Sequence, residues 1–106
     1  MSHCRRGIAC AISDRSVGVD IEEIQFDSDF AATVLNDSEM ASVKASDRPA
    51  EAFTALWTRK ESCLKLLGTG LADGLRDILS DHPEVEFTTE IRPDVGYVVT
   101  TACRNQ

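Results

Sequence analysis

The chain has 106 residues, 11 Lys+Arg against 18 Asp+Glu and a net charge of -7. One domain spanning residues 1–106 fits that length, and an apolar share of 42% argues against wholesale disorder. The acidic balance and scattered basic residues exclude the simple nucleic-acid reading, because a phosphate backbone is held by clustered Lys and Arg. No run nears the roughly 20 apolar residues that span a bilayer. The residues after Met1 carry no secretory pattern, so the expectation is a cytoplasmic protein away from membranes. Cys4, Cys10, Cys63 and Cys103 form no Cys-x-x-Cys pair and read as reduced, buried thiols.

Ile8 to Ser13 is apolar and small, and Asp14-Arg15-Ser16 reads as a turn into Val17–Ile24. Together they predict a β-hairpin. Period two puts Asp20 and Glu22 on one strand face and Val17, Val19 and Ile21 on the other. Asp27 to Lys44 reads as two short helices. Asp27 or Ser28 caps the first, and Asn36 or Asp37 caps the second, which carries Glu39, Met40 and Val43. After a polar break, Pro49 suits the first turn of a long helix and Gly68 its C-terminal stop.

On that helix Phe53, Leu56, Trp57, Leu64 and Leu67 recur at helical spacing. At ~100° per residue Lys60 falls inside this stripe, with Glu61 and Lys65 on its flank. A lysine among core-facing residues is a local conflict, met either by a snorkelling stem or by function. Leu71–Leu79 predicts a short helix, Glu84–Ile91 a strand, Arg92–Gly96 a turn and Tyr97–Cys103 a closing strand. The fold class is α+β, an antiparallel sheet packed on a long central helix.

Asp20, Glu22 and Glu61 supply hard oxygen ligands of the kind Mg²⁺ takes. Lys60 and Lys65 offer positive charge to a phosphate beside it. The plain alternatives are a solvated strand face and an ordinary i,i+4 Glu61–Lys65 pair. No phosphate-binding loop of the Gly-x-x-x-x-Gly-Lys-Ser/Thr type is present, nor a Gly-x-Ser-x-Gly elbow.

An ordered set of motifs carries a resemblance. Val17-Gly18-Val19-Asp20-Ile21-Glu22 is followed by Trp57-Thr58-Arg59-Lys60-Glu61-Ser62-Cys63-Leu64-Lys65 and then by Gly68-Thr69-Gly70-Leu71. This resembles the signature pair of the 4'-phosphopantetheinyl transferases. Ser2-His3-Cys4 resembles the Ser-His motif of the surfactin-synthetase-activating subtype, and Tyr97-Val98-Val99 its last strand.

The resemblance implies a half-domain of that fold and transfer of the phosphopantetheine arm of coenzyme A to a serine of an acyl or peptidyl carrier protein. It assigns Mg²⁺ to Asp20, Glu22 and Glu61. Lys65 then contacts the coenzyme A phosphates and acts near the reacting centre. Lys60 is a second motif lysine on the cofactor side, and His3 holds coenzyme A. Glu39, in Ser38-Glu39-Met40, resembles a glutamate that serves as base for the incoming serine. The larger subtype has two similar halves with coenzyme A between them, and the small holo-synthase subtype forms a trimer. A single half therefore implies a homo-oligomer, dimer or trimer. The alternatives are a family member that binds coenzyme A or carrier protein without turnover, and a structural module with no ligand.

Overall fold

The computed structural model describes residues 17–68 and 75–104. The expected strand Ile8–Ser13, its hairpin turn, the Ser2-His3 pair and most of the loop after Gly68 lie outside the described residues. The chain runs β1 (Val17–Glu23), α1 (Ser28–Val34), α2 (Asp37–Ala45), α3 (Pro49–Leu67), a 3₁₀ turn (Leu75–Asp77), α4 (Ile78–Asp81), β2 (Val85–Arg92) and β3 (Tyr97–Arg104). The sheet order is β1-β3-β2, antiparallel throughout, with Asp20 opposite Thr100 and Gly18 opposite Ala102. The predicted α+β architecture is the observed one.

The local signals work as expected. The Asp27 carboxylate accepts from the amides of Asp29 and Phe30 and starts α1. Asn36 and Glu39 form a reciprocal capping box at α2. Pro49 opens α3, and Gly68 closes it at φ 74, donating its amide to the Leu64 carbonyl. Gly96, at φ 82, lets the β2–β3 turn close on the Arg92 carbonyl.

The long helix lies across β1 and β3, and its buried faces differ from the expected stripe. Phe53 and Leu64 are buried, but Leu56, Trp57 and Leu67 are only half-buried. Thr54, Thr58, Lys60, Ser62, Cys63 and Leu66 are buried as well. The reason is that α3 is covered on two sides. One side meets the sheet through small residues, and the other meets the remaining helices.

The sheet contact is close. A Cβ added at Gly18 would collide with the Ser62 carbonyl oxygen and stand 2.7 Å from the Leu66 amide nitrogen. Thr58 and Thr100 hydroxyls join across the same layer at 2.8 Å. Arg59 Nε donates to Thr89, whose hydroxyl meets Thr100 in turn.

The core forms two clusters. Cys63, Leu64, Leu66, Ile78, Val85 and Ala102 fill one. Ala31, Val34, Leu35, Val43 and Phe53 fill the other. Cys63 is free and buried. No helix among the described residues is long and apolar enough to cross a membrane.

Candidate functional site

β1 presents its polar face inward. Gly18 and Asp20 are buried and Glu22 is half-buried, while Val19 and Ile21 are 37% and 48% exposed. Gly18 is what allows this. With no side chain there, strand and helix backbones come into contact, and the next inward position, Asp20, reaches α3 one turn from the helix end. The ordinary reading of a strand's acidic face as solvated therefore fails at Asp20.

Lys65 meets Asp20 from the helix. Its Nζ lies 2.8 Å from Asp20 Oδ1 and donates also to the Val19 carbonyl at 3.1 Å. The lysine stem is half-exposed and the aspartate is not. The second oxygen, Asp20 Oδ2, is buried and accepts no hydrogen bond. Glu22 and Glu61 stand in the same electrostatic neighbourhood. Burial pushes the Glu22 carboxyl up to about 7. The hydrogen bond its protonated form makes to Asp20 and the charges of Asp20 and Glu61 push the same way, against Lys65. Glu61 is raised by burial first and then by Asp20. Lys65 holds its proton more tightly, chiefly through its bond to Asp20.

Three carboxylates against one ammonium leave an excess of negative charge and an orphaned buried oxygen. Hard oxygen donors in such a set fit Mg²⁺, which takes few protein ligands and keeps water or phosphate on its other positions. Among the described residues no three His, Cys, Asp or Glu side chains already converge as a ligand set. In the structure Lys65 supplies the cationic partner of Asp20 instead.

Lys60 and Glu39 are placed elsewhere. Successive helical residues point ~100° apart, so Lys60 turns away from Glu61 and into the helical layer. Its side chain is 0% exposed, and Nζ lies 2.8 Å from Glu39 Oε1. It donates also to the carbonyls of Leu75, at 3.2 Å, and Arg76, at 2.8 Å. An ammonium has three hydrogens, and these acceptors use them all. This geometry opposes the phosphate-contact expectation for Lys60. Glu39 Oε1 also accepts the Asn36 amide at 3.0 Å. The structure thus joins Asp20 to Lys65, leaves Glu22 and Glu61 within electrostatic reach of that pair, and pairs Lys60 with Glu39 apart from them.

Sequence reading missed two contributors. The hydroxyl of Thr54 receives the Gln25 amide at 3.1 Å, pinning the exit of β1 to α3, and its one proton lies between the carbonyls of Ala50, at 2.8 Å, and Gln25, at 3.0 Å. Beside it, Phe30 and Trp57 meet edge-on with centroids 5.0 Å apart, and Phe26 and Phe30 both lean on Phe53. With Glu23, Gln25, Asp27 and Thr54, the rings of Phe30, Phe53 and Trp57 line a cleft of about 260 Å³. The spacing of Phe26, Phe30, Phe53 and Trp57 was the available signal, but only the tertiary structure joins the two segments.

Residues 16–103 match the family model described as the 4'-phosphopantetheinyl transferase superfamily. The chain is 36% identical over 74 residues to 4'-phosphopantetheinyl transferase gsp of Aneurinibacillus migulanus, covering 67% of this chain and 31% of that protein. It is 33% identical over 75 residues to the 4'-phosphopantetheinyl transferase of Bacillus subtilis, covering 68% and 34%. Against the holo-[acyl-carrier-protein] synthase of Jannaschia sp. (strain CCS1) it is 30% identical over 87 residues, covering 68% and 58%. The chain thus spans from about a third to under two thirds of these relatives' lengths. The fold is similar to the crystal structure of holo-[acyl-carrier-protein] synthase from Neisseria meningitidis, with TM-score 0.69 at 17% identity, covering 86% of this chain and 98% of that one. A family match that runs over residues 16–103, most of the chain, makes this protein a member of the 4'-phosphopantetheinyl transferase superfamily.

Proposed function

We propose that the chain transfers the 4'-phosphopantetheine arm of coenzyme A to a serine of an acyl or peptidyl carrier protein, with Mg²⁺. The observation that carries this is the Asp20–Lys65 contact between β1 and α3, with Glu22 and Glu61 within electrostatic reach of it. Asp20, Glu22 and Glu61 would hold the metal. Bound there, Mg²⁺ supplies charge neutralisation to the pyrophosphate.

The chain's own residues do the rest. Lys65, half-exposed and fully protonated, adds positive charge where the bridging oxygen departs. The serine oxygen forms a bond to the β-phosphorus as its proton passes to water, the pyrophosphate P–O bond breaks, and the adenosine bisphosphate leaves. No protein nucleophile is needed, since the partner brings the hydroxyl. His3 belongs to the same reading as a coenzyme A contact, on the strength of its motif alone.

Self-association is part of the proposal. The fold covers 98% of the holo-[acyl-carrier-protein] synthase chain it resembles. Phe26, Phe30, Ile91 and Val95 are large apolar side chains left exposed. A homo-oligomer, dimer or trimer, would give coenzyme A a second wall. A cytoplasmic location goes with coenzyme A as substrate.

The test is incubation with coenzyme A, Mg²⁺ and an apo carrier protein, read by mass spectrometry of the carrier. The expected result is the added phosphopantetheine mass, lost with chelator. An unmodified carrier sinks the reading. Retention of coenzyme A without transfer would select the second reading, a binder without turnover.

A further inference from the structure

The fully buried Lys60 is the feature that the proposed chemistry does not use. A lysine with no exposed surface must have its charge matched and its hydrogens accepted. Lys60 meets both demands with Glu39 on α2 and the carbonyls of Leu75 and Arg76, just past the loop after α3. Arg76 repeats the stitch in reverse. Its Nε donates to the Leu35 carbonyl at 2.8 Å, and Asn36 Nδ2 donates to Asp77 Oδ1 at 3.0 Å. The α1–α2 junction, α3 and the 3₁₀ turn are therefore tied at one point.

We infer that Glu39 and Lys60 are positioning residues: their buried ion pair fixes α3 against α2 and residues 75–77, and so sets where Glu61 and Lys65 meet β1. Lys60 and Glu61 are neighbours on one rigid helix, so locking the first orients the second toward Asp20 and Glu22. Glu39 already gives Oε1 to the Asn36 amide and to Lys60. A carboxylate so engaged holds structure better than it accepts a serine proton. The inference rests on the proposed function for its catalytic consequence only.

The experiment is a double-mutant cycle with Glu39→Gln and Lys60→Met. The glutamine keeps an acceptor for the capping box, and methionine keeps the apolar stem. Either single change leaves one buried group unmatched, and should lower the thermal midpoint by on the order of 10 °C. The same change should weaken Mn²⁺ binding and transfer by at least about tenfold. The double variant should have a higher midpoint than Lys60→Met alone. It should also recover Mn²⁺ affinity and transfer rate to within about tenfold of wild type, with an unchanged pH profile. A double variant that regains its midpoint but stays as inactive as Glu39→Gln would overturn the inference and make Glu39 the base. Single variants with unshifted midpoints would overturn it too. Should the wild-type chain transfer nothing, the proposed function fails, and the midpoints and Mn²⁺ affinities still decide whether the pair acts as a lock.

Discussion

Asp20 and Lys65 approach to 2.8 Å across the β1–α3 contact, with the aspartate buried and the lysine half in solvent. Neither residue reaches the other without Gly18, whose missing side chain lets the strand lie on the helix backbone. The charged site and the close packing are thus one feature. A buried acid is tolerated there because a cation stands beside it, and its second oxygen still lacks a partner.

That second oxygen makes Asp20 the most sensitive position for a metal. Asp20→Asn keeps the shape and removes the charge, so transfer should fall by about 100-fold or more while the chain stays folded. Glu61→Ala should act the same way. Carrier modification rates and thermal midpoints, measured on the same samples, check this. Unchanged transfer in either variant would show that the ligand assignment is wrong.

Glu22 predicts a distinctive pH response in the metal-free chain. Its carboxyl sits near 7 when folded, against an ordinary 4.5. Between those values the folded state binds more protons than the unfolded one, so this group's contribution to stability falls as pH rises from about 4.5 to 7. Solvent screening reduces the size of the effect, since Glu22 is only partly buried. Wild type should therefore lose stability relative to Glu22→Gln across that window. Added Mg²⁺ should restore it at pH 7.5 and do little at pH 5. Thermal scans of both proteins, with and without Mg²⁺, test the sign.

Gly18→Ala should be costly although the change is one methyl group. The new Cβ meets two backbone atoms of α3, which no rotamer can move. A loss of about 1–3 kcal/mol is expected, together with reduced transfer because Asp20 is displaced. Denaturant midpoints read the first effect. Full stability in this variant would mean that the helix rides further from the sheet.

The aromatic group offers a graded comparison. Phe53 is 3% exposed and touches both Phe26 and Phe30. Phe53→Ala should cost about 3–5 kcal/mol. Trp57, half-buried at the cleft, should cost less despite its larger ring, because much of it stays in water. Equilibrium unfolding of the two variants tests the order, and a greater loss at Trp57 would place the tryptophan deeper than the structure does.

The sequence by itself determined what depends on near neighbours. The capping box of Asn36 and Glu39, the Pro49 start and Gly68 stop of α3, and the Gly96 turn are set within a few residues. The period-two pairing of Asp20 with Glu22 and the flank shared by Glu61 and Lys65 are equally local. These set the α+β class and nominated Asp20 and Lys65, which meet, and Glu22 and Glu61 beside them. Only the tertiary structure decided which phase of each element faces its neighbour. Period two puts Asp20 opposite Val19, but not which of them turns inward. That choice belongs to Gly18 and the backbone of α3, more than 40 residues away. Helical spacing put Lys60 in a buried stripe, but not against Glu39. That pairing needs α2 folded beside α3, and the carbonyls that complete it arrive from residues 75 and 76. Periodicity fixes angles within an element, whereas contacts between elements follow from packing and from the need to match every buried charge.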